Sequence, residues 1–139
     1  MKQLQDKCVK IQKNKEVVVK EKKAEFRIEN SQQKAILLIK VDKCLDFEGK
    51  KCDYFFDIEK IKQFFVELKG HQLNYAIEQL ENTYENLKDY EGIIFNKVYF
   101  YVVMSRVPKL GIDFQRMQKQ LAKKKITLKL SSRKMIIKI

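Results

Sequence analysis

The spacing of apolar residues changes character along the chain. Leu4, Cys8 and Ile11 recur at helical intervals and predict a helix over residues 3–13, whereas the following "EVVVKEKKAEFRIEN" is β-branched and ambiguous. "KAILLIKVDKC", residues 34–44, predicts a strand and "LDFEGK" a loop. Two further strands are expected at about residues 52–57 and 61–69, joined by a short turn at 58–60. Beyond Gly70 the period lengthens from two to 3.6, and Leu73, Ile77, Leu80, Tyr84 and Leu87 mark one face of an amphipathic helix over residues 72–89. "GIIFNKVYFYVVMS" is apolar on both faces and predicts a central strand covered on both sides, with Tyr99 and Tyr101 in the core. Phe114, Met117 and Leu121 predict another helix with Asp113 as its N-cap. The alternation of Ile126, Leu128 and Leu130, then of Met135, Ile137 and Ile139 around "SSRK", predicts a closing hairpin.

Helix, three strands, helix, strand, helix and hairpin is the order of a mixed α/β domain with helices against a curved sheet. With 139 residues, 45% of them apolar, the chain is expected to form one domain: an N-terminal segment 1–33, a core 34–104 and a C-terminal helix and hairpin 105–139. No apolar run reaches the roughly 18–20 residues of a membrane span, and "MKQLQDKCVKIQKNK" has no signal-peptide core, so the expected location is cytoplasmic. Cys8, Cys44 and Cys52 match neither a disulfide framework nor a zinc spacing. They are expected to be reduced and buried, Cys44 and Cys52 being the pair a hairpin could bring face to face.

Charge divides the chain unevenly. Of the net +12, residues 97–139 carry +11, with twelve Lys or Arg against the single acid Asp113. Such asymmetry predicts a polyanionic partner, nucleic acid before membrane. The candidate contacts are Arg106, Lys109, Arg116, Lys119, Lys123, Lys124, Lys125 and Arg133.

Candidate chemistry lies at residues 53–69. In a strand, side chains at i and i+2 share a face, so Glu67 and Lys69 point one way while Val66 and Leu68 point the other. A turn near residue 59 sets the strand bearing Asp53 beside the strand bearing Glu67. An even register, in which paired positions sum to 118 or 120, places both acids on one side of the sheet; an odd one separates them. We expect the even register. Two carboxylates so placed repel unless a cation lies between them, and oxygen ligands with room for water suit Mg²⁺ or Mn²⁺. A neighbouring lysine can orient or activate the attacking water. The lone histidine, His71, leaves Ser/His or Cys/His catalysis poorly supported and excludes a histidine-rich zinc site.

At these residues, "KCDYFF", "FFVELKG" and "AIEQLENT", the sequence resembles the PD-(D/E)XK nuclease superfamily, with its restriction-endonuclease-like fold. The resemblance implies an αβββαβ core and phosphodiester hydrolysis of nucleic acid, DNA ahead of RNA. It implies a metal ion on Asp53, Glu67 and the Leu68 carbonyl, Lys69 assisting the water, and Gln79 positioning Lys69 or the nucleic acid. Some members add a glutamate, for which Glu16, Glu21, Glu25 and Glu29 are candidates. Cys52 stands where the name-giving proline would be, and Thr83 breaks the QxxxY pattern of the RecB-like branch. By analogy a homodimer is expected. The alternative is an inactive nuclease-fold subunit that binds nucleic acid or scaffolds a larger complex.

Overall fold

The computed structural model describes residues 1–68 and 72–139. A six-stranded mixed sheet runs in the order β1 (Val9–Gln12), β4 (Ile36–Lys40), β5 (Tyr54–Ile58), β6 (Lys62–Leu68), β7 (Lys97–Met104), β8 (Ile126–Ser132). Its first four strands are antiparallel neighbours, and β6, β7 and β8 are parallel. A three-stranded sheet has the order β2 (Glu16–Glu21), β3 (Ala24–Glu29), β9 (Lys134–Lys138). The helices are a four-residue α1 (Val41–Cys44), α2 (Leu73–Leu87) and α3 (Ile112–Lys123). Among the described residues no helix is long and apolar enough to cross a membrane.

The two faces of the large sheet are buried by different partners, which is why its central strands are apolar at nearly every position. On one face Ile39, Phe55, Phe65, Phe100, Val102 and Leu128 pack with Ala76, Ile77, Leu80 and Leu87 of α2 and Leu121 of α3. On the other, Leu38, Phe56, Phe64, Val66, Leu68 and Tyr101 pack with Val17, Val19, Phe26, Ile28 and Met135 of the small sheet. The crossovers β6–α2–β7 and β7–α3–β8 step the same way across the sheet, so both helices lie on one face. The strands β4 to β8 therefore present one shared end, formed by the last residues of β4, β6, β7 and β8 and the first of β5.

Several expectations are corrected. Residues 3–13 form no helix: a 3-10 turn, Asp6–Cys8, leads into β1, which pairs with β4 from Val9↔Ile39 to Gln12↔Ile36. Ile11, the last apolar mark of the expected helix, is 66% exposed and never faced a core. The leading helix of an αβββαβ core is thus missing at that place, and the ambiguous segment after it folds as the β2–β3 hairpin. The strand expected over 34–44 stops at Lys40, where α1 begins. The strand expected from Gly92 starts only at Lys97.

The closing hairpin does not form. β8 joins β7 in the large sheet, β9 joins β3 in the small one, and Arg133, at φ +64, is the single residue between them. Alternation records that a strand has an inner face but not which sheet receives it. At α3 the N-cap position is Gly111, not Asp113, which sits in the first turn. Cys8 and Cys44 form a disulfide, and Cys52 is a buried free thiol, so neither the all-reduced reading nor a Cys44–Cys52 pairing holds.

Candidate active site

The β5–β6 hairpin adopts the even register. Tyr54 pairs with Val66 and Phe55 with Phe65, so the same ladder carried one residue outward sets Asp53 opposite Glu67 at the shared end of the sheet. The turn that fixes this register has Glu59 and Lys60 in the left-handed region and is closed by the Ile61 N–H donating to the Ile58 carbonyl at 2.9 Å. A side-chain network from Asp57 supports it, accepting from the Lys60 N–H and from Gln63 Nε2, both at 3.1 Å.

Asp53 is held through its side chain and its backbone. Its Oδ2 accepts from the Leu68 N–H at 2.8 Å, and its carbonyl accepts from the Val41 N–H at 2.9 Å. The loop before it is clamped by one face of α2. Asn82 Nδ2 donates to the carbonyls of Glu48 at 3.1 Å and Lys50 at 2.7 Å, Gln79 Nε2 to that of Lys51 at 3.0 Å, and the Cys52 N–H donates to Thr83 Oγ1 at 2.9 Å. Gly49 belongs to this clamp: at φ +91 it takes a conformation costly for other residues, and a Cβ there would lie 2.8 Å from Asn82 Nδ2.

Glu67 is only 6% exposed, and its Oε1 is buried without a hydrogen-bond partner. Burial, and next the charge of Asp53, push its pKa up to about 9. Asp53 is also raised, by burial first and by the charges of Glu21 and Asp42, against the opposing Leu68 hydrogen bond. The pair is therefore short of positive charge. It can hold a proton, or it can hold a cation.

Glu21 and Asp42 share a cavity of about 20 Å³ with Asp53, Tyr54, Lys40 and Lys43. Among the four candidate glutamates only Glu21 lines it. Glu16 is paired with Arg27 at 2.8 Å, and Glu25 with Lys20, Arg27 and Lys134 at 3.3, 3.2 and 3.5 Å. Asp42 and Lys43 carry no stronger mark in the sequence than an acid directly after an apolar run, because β4 passes without a break into α1. Among the described residues no set of three His, Cys, Asp or Glu is grouped so as to hold a metal ion. The unpartnered Glu67 Oε1 opposite Asp53 fits a divalent cation as two of its ligands, with a backbone carbonyl such as that of Leu68 and water left to complete the shell.

Lys69 lies outside the described residues. Gln79 does not have its expected role: its amide is spent on the Lys51 carbonyl, so it shapes the loop leading to Asp53. The eight basic candidates are all exposed but are not gathered in one patch. Arg106 and Lys109 leave the end of β7, whose Val102 pairs with Glu67, and the Arg133 N–H donates to the Met104 carbonyl at 2.7 Å, so these three lie at the acid-pair end of the sheet. Arg116, Lys119 and Lys123 recur at helical spacing along α3. Lys124 and Lys125 precede Ile126, which pairs with Val98 at the opposite end, and Lys124 is 3.9 Å from Glu81. No protein-family model, curated protein or solved structure matches the chain.

Proposed function

We propose that the chain is a metal-dependent nuclease of the PD-(D/E)XK kind that hydrolyses phosphodiester bonds in DNA. The observation that carries this reading is the pairing of Asp53 with a buried Glu67 whose Oε1 has no partner. Such a pair is stabilised by a divalent cation more than by solvent. Mg²⁺ or Mn²⁺ would be held by Asp53, Glu67 and the Leu68 carbonyl, and would supply Lewis acidity toward a phosphate oxygen and a more acidic water. The Leu68 N–H and the α2 clamp keep Asp53 aimed, and the apolar neighbours Phe55 and Phe65 exclude bulk water behind the pair. Arg106, Lys109 and Arg133 draw the polyanion to that end of the sheet. Lys69, next after Leu68, would assist the attacking water.

Plasmid, linear duplex and single-stranded DNA incubated with Mg²⁺ or Mn²⁺ test the reading. Asp53→Ala, Glu67→Ala and Lys69→Ala should each abolish cutting while binding survives; wild-type cutting by all three overturns it. The second reading, a nuclease-like subunit that binds without cutting, is favoured by the near-complete burial of Glu67. Calorimetric metal titration separates the two, since only the enzyme should show heat that Glu67→Ala removes.

A further inference from the structure

At the same end of the sheet as the acid pair, between the start of α2 and the start of α3, opens a cavity of about 540 Å³, a size common for small-ligand sites. Its wall combines two chemistries. Pro108, Ile112 and Phe114 are apolar, and Phe114 is anchored against the helix-side core. Gln72, Asn74 and Asp113 offer two amides and a carboxylate, and Lys109 adds one cation. Ile112 is 74% exposed, so this wall places apolar surface in water that the fold itself does not use.

We propose that this cavity receives one unpaired nucleobase bearing an exocyclic amino group, from a single-stranded or frayed segment of the nucleic acid. The inference rests on the nucleic-acid-binding half of the reading above. A flat apolar face against Phe114, Ile112 and Pro108 suits any base. The edge groups are more selective. The Asp113 carboxylate can only accept hydrogen bonds, so it pairs with the amino group of cytosine, adenine or guanine, whereas thymine and uracil offer it only an N3–H flanked by two carbonyls that it repels. A phosphate in the same place would be repelled by that carboxylate, which leaves Lys109 to meet the backbone at the rim. In an intact duplex the base is stacked and its Watson–Crick edge is paired, so only a free base can enter the cavity. Asp113 is the only acid in the basic residues 97–139, and its place in this wall gives that exception a purpose.

Binding is measured on the full chain by fluorescence anisotropy in EDTA, so that no cleavage is required. The probes are oligo-dC, oligo-dT and a duplex of about eight nucleotides or base pairs. Oligo-dC should bind roughly tenfold tighter than oligo-dT and the duplex. Asp113→Asn should erase the preference for dC. Ile112→Ala, at an exposed position that cannot unfold the domain, should weaken oligo-dC by roughly fivefold. Equal affinity for all three probes overturns the pocket, as does wild-type behaviour of both variants. If the wild type cuts DNA with Mg²⁺ yet shows no such preference, this inference fails and the nuclease reading stands. If no probe binds even at low salt, the nucleic-acid reading fails with it.

Discussion

The Leu68 N–H donates to Asp53 Oδ2 at 2.8 Å, so the residue following one acid of the pair fixes the side chain of the other. That bond offsets part of the cost of burying Asp53, whereas Glu67, through its own burial and next the charge of Asp53, has its carboxyl pushed up to about 9 from an ordinary 4.5. An acid whose pKa is higher in the folded than in the unfolded chain holds its proton preferentially in the fold, and stability then falls as pH rises between the two values. The protein without metal should lose stability from about pH 4.5 to about pH 9. Glu67→Gln should flatten that slope and raise Tm at pH 8 by about 5 °C or more. Thermal denaturation at pH 5, 7 and 8.5 checks this, and added Mn²⁺ should raise Tm of the wild type but not of Glu67→Gln. Equal slopes for the two proteins would refute the account of Glu67.

Thr83 is fully buried in α2, where its Oγ1 accepts from the Cys52 N–H at 2.9 Å and donates to the Gln79 carbonyl at 2.8 Å. Thr83→Val keeps the shape and removes both bonds, leaving a buried N–H next to Asp53 without an acceptor at a cost of about 1–3 kcal/mol. Thr83→Ser keeps the hydroxyl. Urea denaturation should show the loss in the valine variant and little of it in the serine variant, and DNA cleavage should drop in the same order.

The register of the acid pair was legible because two local signals agree on it. Alternation across Phe55 and Phe65 gives the inner faces, and the turn near Glu59 gives the pairing. The face of α2 was legible for the same reason, through Ile77, Leu80 and Leu87. What failed depends on distant partners. Leu4, Cys8 and Ile11 fit a helical spacing, yet pairing of β1 with β4 overrides it. Nothing local in the sequence says that the loop 48–52 comes to Asn82 and Thr83. Likewise no spacing rule selects Cys8 as the partner of Cys44.

The Cys8–Cys44 disulfide joins the start of β1 to the end of α1, across 36 residues that include the whole β2–β3 hairpin. Cross-linking a span of that length stabilises a fold by about 3–4 kcal/mol, chiefly by restricting the unfolded chain. Cys8→Ser should therefore lower Tm by about 10 °C. Dithiothreitol should lower the wild type to the same value and leave Cys8→Ser unchanged. A reduced wild type with unaltered Tm would show that the link contributes nothing.

The basic residues divide by position, and that division predicts their effects. Arg106 and Lys109 emerge beside the β7 residues that pair with Glu67 and Leu68, whereas Lys124 and Lys125 precede β8 at the other end of a strand eight residues long. A backbone contact contributes through its charge, and each one lost should reduce the salt dependence of duplex binding by about 0.9 in log–log slope. If the polyanion crosses the acid-pair end, the double variant Arg106→Glu/Lys109→Glu should lower that slope by about two and cut affinity at least tenfold. Lys124→Glu/Lys125→Glu should change it far less, because screening over about 8 Å separates those charges from a strand bound at the far end. Equal losses from the two pairs would mean that the nucleic acid runs along α3, over Arg116, Lys119 and Lys123, and not across the end of the sheet that carries Asp53 and Glu67.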